Sequence, residues 1–261
     1  MLDHTYTMSL DEWVGYKNIL AKLSQRAVEE FRDAVWNING RWGGVGLGEI
    51  PRDELIEYAY ALVTKYGEGA AAAACVCYDE IAAMSGVSVP PAVPATTAKI
   101  DEVGKAINGT IKTENEEIIS GSVGRLVKRA GQDTTLQNAK RDIKAGAQVA
   151  WIPSGDTCAF CVMLASNGWQ NVSKKTLKNG HAEHIHANCD CAYGVRFSSN
   201  GGVESYDPDV YKDLYYDTDP DATNYKDRLN AMRRKFYAEN KDTGDTNPDG
   251  SVAEEINVND L

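Results

Sequence analysis

The chain has 261 residues, 43% of them hydrophobic, which is enough to bury one large core or two small ones. Its formal net charge is −11, and the excess is local, because residues 201–261 hold 15 acids against 7 bases. Affinity for phosphate comes from Lys and Arg displacing counterions, so this balance excludes a free-standing nucleic-acid binder and leaves room only for local basic patches.

The stretch from Met1 to His4 has no basic run followed by an apolar one, so no secretory signal is expected. Nor is any apolar segment long enough to suggest a bilayer span. Ser9 and Glu12 make a capping box, after which Trp13, Ile19, Leu20, Leu23, Val28, Phe31 and Val35 recur at helical spacing. A long helix is predicted from Leu10 to Trp36. A Gly-rich turn over Asn37–Glu49 follows. Pro51 then stands where the first turn of a second helix takes a proline. Leu55, Ile56, Ala59, Leu62, Val63 and Tyr66 mark that helix's buried face, and Gly86 marks its end.

Pro90, Pro91 and Pro94 make Val87–Thr97 an extended connector. Helical pattern resumes from Lys99 to Ala130, with breaks expected at Gly121 and Gly124, and again from Thr135 to Ala145. Residues 1–145 thus read as a helical assembly region. Residues 146–200 have a different texture: a strand over Gln148–Ile152, a turn, a short helix ending at Gly168, and a half-buried strand with Tyr193, Val195 and Phe197 in alternation. Residues 201–261 read as an acidic extension with one short helix from Asn224 to Glu239. Lys241–Leu261 holds too little apolar material to order in isolation.

Four of the six cysteines fall in the middle segment. Cys158 and Cys161 form a C-x-x-C pair, and after a 24-residue gap His186, Cys189 and Cys191 form H-x-x-C-x-C. Zinc takes four thiolate or imidazole ligands in a tetrahedron, usually as two short-range pairs brought together by folding. Five candidates compete for four places: Cys158, Cys161 and His186, with Cys189 or Cys191 as the fourth. Such a structural ion would replace a core that the polar loops between Ile152 and Tyr193 cannot build. Clustered thiols of this kind suit a reducing compartment.

Catalytic readings fit less well. His181–Glu183 spells the H-x-E of a zinc deaminase, but the cysteine pair precedes it, and His186 with Cys189 would overfill a site that must keep one position open. A metal-dependent nuclease would need acids beyond Glu183 and Asp190. A cysteine nucleophile with His186 as base would take a thiol from a better use. His181 and His184 are expected as solvated loop histidines, and Cys75 and Cys77, two apart in a helix, as core. The glycines at 43, 44, 46 and 48 lack the Lys-Ser/Thr of a phosphate loop. Arg228, Arg233, Arg234 and Lys235 read as a solvated helix face.

Trp151 stands in a strand, Gly155-Asp156-Thr157-Cys158-Ala159-Phe160-Cys161 follows, and His186-Ala187-Asn188-Cys189-Asp190-Cys191 closes the segment. On these residues the stretch from Ala139 to Phe197 resembles the zinc-binding module of phage head morphogenesis proteins, the Mu F-like minor capsid family. The resemblance implies a mainly α protein in which a small zinc-stapled α+β module lies between long helices and an extended acidic tail. It implies a structural, non-enzymatic virion component with a structural zinc ion, present in the host cytoplasm during assembly and then in the capsid interior or portal region. Expected partners are the portal, the major capsid protein, or further copies through the helices, with no membrane and at most local nucleic-acid contact. Asp190 stands where many relatives carry arginine, so that residue's contacts do not transfer. A nucleic-acid-processing zinc enzyme and a host-directed zinc-finger adaptor are the competing classes.

Overall fold

The computed structural model describes residues 5–41, 43–44, 46–154, 156–173, 189, 191–243 and 255–257. Helix α1 (Leu10–Arg41) begins at the expected capping box: the Ser9 backbone N–H donates to Glu12 Oε2 at 2.8 Å, and the Glu12 N–H donates back to Ser9 Oγ at 3.3 Å. Its buried face is Trp13, Tyr16, Leu20, Ser24, Ala27, Phe31, Ala34, Val35 and Ile38. Ile19, expected in that face, is exposed. Helix α2 (Arg52–Met84) starts directly after Pro51 and runs without interruption through Gly67 and Gly69 to a turn at Gly86, whose φ is +65°.

Helix α3 (Ile100–Thr110) and helix α4 (Glu116–Arg141) correct the expected breaks. The chain turns at Glu114, with φ +52°, and at Asn115, whose side chain accepts from the N–H groups of Glu117 and Ile118. Gly124 lies inside α4 and serves packing instead. A Cβ there would stand 2.6 Å from Ser24 Oγ and 2.8 Å from Val28 Cγ2, so its absence lets α4 come close to α1. Gly131 likewise brings α4 to within reach of the Ala70 carbonyl of α2, which would lie 3.2 Å from an added Cβ. Helices α1, α2 and α4 pack against one another, with α3 against α2 and α4.

The proline-rich connector is held in register by side chains of α2 and α4. Asn138 accepts from the Val93 N–H and donates to the Val93 carbonyl, both at 2.9 Å, as a neighbouring strand would. Asp79 accepts from the Ala92 N–H at 2.8 Å, Thr134 from the Ala95 N–H at 2.9 Å, and Arg141 donates to the carbonyls of Pro90 and Pro91. Thus the connector's backbone groups find partners without a sheet.

Strand β1 (Thr7–Met8) precedes α1, and beyond α4 come β2 (Gln148–Ile152), β3 (Asp156–Cys158), helix α5 (Ala159–Ala165), β4 (Ala192–Arg196) and β5 (Gly202–Val203). Strands β2 and β4 are antiparallel, from Gln148↔Arg196 to Ile152↔Ala192. Strand β4 was expected to be half-buried, yet Ala192–Val195 is buried throughout, because α2, α4 and the Trp169 ring pack against it. Strands β1 and β5 pair in parallel, so the amino-terminal end is tied to the start of the acidic extension.

That extension carries two helices where one was expected, α6 (Pro208–Asp217) and α7 (Tyr225–Thr243). Both pack on α5, burying Tyr211, Tyr215, Leu229, Met232 and Phe236. Arg233, Arg234 and Lys235 are exposed as expected, whereas the Arg228 guanidinium lies 4.7 Å from the Tyr216 ring centre. Strand β6 (Glu255–Asn257) pairs antiparallel with β3. The rest of the stretch expected to lack order lies outside the described residues. The described structure is mainly helical, with seven helices and short strands, and its buried apolar side chains form one contiguous cluster from Met8 to Phe236.

Candidate metal centre

The opening pair is set by the start of α5. Cys158 is its N-cap, in extended conformation at φ −73° and ψ 156°, and Cys161 is the third helical residue. A side chain at the N-cap and one three residues on lie over the same first turn, so the C-x-x-C spacing turns both sulfurs to one place. The closing pair lies just before β4, whose pairing with β2 fixes where the chain arrives. The consequence is a convergence of Cys161, Cys189 and Cys191, whose sulfurs all lie within 4.8 Å of one another. All three residues are buried, at 1%, 2% and 5% exposure.

Cys161 Sγ and Cys189 Sγ are 3.4 Å apart. Four thiolates around zinc, at about 2.3 Å each, stand roughly 3.8 Å from one another, so these spacings suit a shared ion. Hydrogen bonding with Cys158, Cys189 and Cys191, together with burial, pushes the Cys161 thiol well above its ordinary range. For Cys191 the hydrogen bond with Cys161 pulls downward, but that with Cys189 and burial outweigh it, and its thiol is raised too. Without an ion these thiols hold their protons. A divalent ion that binds here displaces those protons, because the ligand is the thiolate. The cluster can therefore hold a metal ion, and its donor set, three buried sulfurs, is that of a soft or borderline cation.

Both cysteines of the closing pair thus stand in the group, between which the sequence left the choice open. Cys158, half-buried, meets Cys161 through its thiol but stands outside the group of three sulfurs that all lie within 4.8 Å of one another. His186 lies outside the described residues, as do His181, Glu183, His184 and Asp190. Cys75 and Cys77, expected as core, are half-buried in α2 and away from the cluster.

Two neighbours from the helices had no sign in the sequence. Lys128 of α4 is buried, and its Nζ donates to the Cys189 carbonyl at 2.7 Å. Gln132, one turn on, accepts the Tyr193 backbone N–H through Oε1 at 2.8 Å, holding the start of β4 against α4. These contacts span 61 residues of chain, and a lysine on a helix pattern reads as solvent-facing. The Trp151 and Tyr193 rings meet edge-on at 4.8 Å beside them, which closes the sheet side of the site.

Among the described residues no helix is long and apolar enough to cross a membrane. No curated protein and no solved structure is significantly similar to the chain. The profile of the VG15 protein family matches residues 7–218, from β1 to just past the end of α6. That span takes in helices α1 to α6, the cysteine segment and its sheet. It supports the phage kinship implied by the cysteine motifs without extending to the Mu F-like family by name. The chain belongs to the VG15 protein family and is a phage-related viral protein.

Proposed function

We propose that this chain is a structural minor head protein of a tailed phage, built into the particle alongside the portal and major capsid proteins, with zinc as its ion. The observation that carries the reading is the burial of Cys161, Cys189 and Cys191 in one group at the join of the two motifs on which the head-morphogenesis resemblance rests. Zinc suits that group because it is redox-inert and takes thiolates in a tetrahedron, so it staples loops without adding chemistry. Four protein ligands would leave no open position for substrate or water, which favours a structural role over deaminase or nuclease chemistry. The exposed faces of α1 and α2 offer surface for assembly. The acidic extension, with 15 acids against 7 bases over residues 201–261, suits a basic neighbour in the head.

The test is mass spectrometry of purified particles with elemental analysis of the isolated chain. Presence in mature heads at low copy, with one zinc per chain, is the expected result. Absence from particles, or recovery on a host protein instead, overturns it.

A further inference from the structure

We infer that Cys161 and Cys189 are a site of oxidative cross-linking, a thiol pair that a small disulfide such as oxidised glutathione converts into a bond joining α5 to the chain that enters β4. The inference goes beyond the metal reading. Only its second part rests on that reading: the bond and the ion tie the same two segments together, and each excludes the other.

The first argument is distance. Cys161 Sγ and Cys189 Sγ stand 3.4 Å apart, both residues are buried, and both thiols are free. A disulfide spans about 2.05 Å and neighbouring zinc thiolates roughly 3.8 Å, so the pair rests between the two arrangements. Closing it to a bond takes a movement of about 1.4 Å. Cys191, within 4.8 Å of both sulfurs, is their nearest competitor.

The second argument is access. An oxidant of that size does not reach a buried thiol, whereas Cys158 is half-buried and its thiol meets that of Cys161. Cys158 is therefore the entry point. Its sulfur displaces one glutathione thiol from the oxidant and forms a mixed disulfide. Cys161 attacks the Cys158 sulfur, releases the second glutathione thiol and leaves a disulfide across the C-x-x-C pair. Cys189 then attacks the Cys161 sulfur, which makes the Cys161–Cys189 bond and returns Cys158 to a thiol. At each exchange the proton of the attacking sulfur passes to the leaving one. In sum two protein thiols are oxidised, and one oxidant is reduced to two glutathione thiols. Hydrogen bonds with its neighbours and burial keep the Cys161 thiol protonated, so the exchange is slow and is followed over hours.

The third argument is the ligand count. The bond consumes two of the three clustered sulfurs and leaves Cys191 alone of that group to hold an ion. Sulfurs already bound to an ion are in turn shielded from exchange. The staple is thus the ion in a reducing compartment and the covalent bond in an oxidising one.

The experiment uses the full chain, reduced, stripped of metal by a chelator and exposed to mixtures of oxidised and reduced glutathione. Remaining thiols are trapped by alkylation, and the peptides are mapped by mass spectrometry. We expect a linked Cys161–Cys189 peptide, four of the six thiols left, and reversal by dithiothreitol. Cys158→Ser should slow the cross-link on the order of tenfold without changing its final extent. Cys189→Ser should stop at the Cys158–Cys161 pair. Zinc-loaded protein should cross-link only as zinc is released, one ion per bond, as read by a chromogenic chelator. Circular dichroism checks that each variant is folded; should one not fold, the wild-type peptide map still decides. Absence of the linked peptide, a predominant pairing with Cys191 in its place, or a link that forms only in urea overturns the site. An unchanged rate in Cys158→Ser overturns the route. Zinc retained by the cross-linked chain overturns the exclusion. A wild type that cross-links yet binds no metal ion supports the site and sinks the metal reading instead.

Discussion

At Asp142 a carboxylate with a side chain only 5% exposed accepts from Arg141 at 2.7 Å and from the Tyr78 hydroxyl at 3.0 Å. Burial pushes its pKa up, but the hydrogen bonds from Arg141 and Tyr78 and the Arg141 charge outweigh it, and the group stays below its ordinary value of 3.8. A carboxyl whose folded value is depressed stabilises the fold above its unfolded pKa and loses that contribution as pH falls through the folded one. Asp142→Asn should therefore cost about 1–3 kcal/mol at neutral pH, as for hydrogen bonds to a charged group. Urea titrations across pH should show the gap to wild type closing below about pH 4. A gap that does not change with pH would show that the charge contributes nothing. Gly124 makes the second residue-scale case. A valine there would press its branched carbon on Ser24 and Val28 of α1, and overpacking of this kind should cost about 1–3 kcal/mol in denaturant unfolding. Reading Gly124 as a helix break misjudged it for a physical reason: propensity describes a lone helix, and neighbours that demand close approach override it.

Among the elements, α1 and α2 were legible because caps and apolar period agreed, and the observed starts match the expected ones within two residues. The α3–α4 break was also written, in Asn115 with Glu116 and Glu117 after it, an N-cap with an acidic first turn. Two glycines farther on drew the reading away from it. The connector between α2 and α3 shows what sequence does not carry, since its order depends on Asp79, Thr134, Asn138 and Arg141, which are distant in the chain. Asn138 is 1% exposed and meets both polar groups of Val93. Asn138→Leu leaves the Val93 N–H without its acceptor, while Gln137 Nε2 still donates to the Val93 carbonyl at 3.2 Å, and should cost about 1–3 kcal/mol. Limited proteolysis should then cut within residues 87–97 at a protease dose that spares the wild type. Equal resistance in the two proteins would mean that the connector is held by its prolines alone.

For the whole molecule, the cysteine spacing announced the site while the helices that close over it gave no sign. Both ligand pairs are short-range patterns that survive in sequence. Lys128 and Gln132 act across 61 residues and were invisible there. The last helix, α7, was expected over Asn224–Glu239, and its Met232 and Phe236 are both fully buried although it lies beyond the family match, whereas α6, with Tyr211 and Tyr215 buried, was missed. Net charge hid that, because an acidic segment can still present one apolar stripe.

The register of β2 and β4 has a further consequence. The two strands part after the rung Ile152↔Ala192, so the chain leaves the sheet and returns to it at facing positions. Everything from Pro153 to Cys191, including the sulfur group, is an excursion whose two ends already meet. Joining those ends demands only a tight turn, although the segment also carries α5 and Trp169, so its removal uncovers the faces of α6, α7 and β4 that pack on them. Replacing residues 153–191 by Asn-Gly should leave a plain hairpin on α4. Circular dichroism should then retain the signal of the four long helices, while metal uptake disappears. Collapse of the helical signal would instead make the segment part of the foundation.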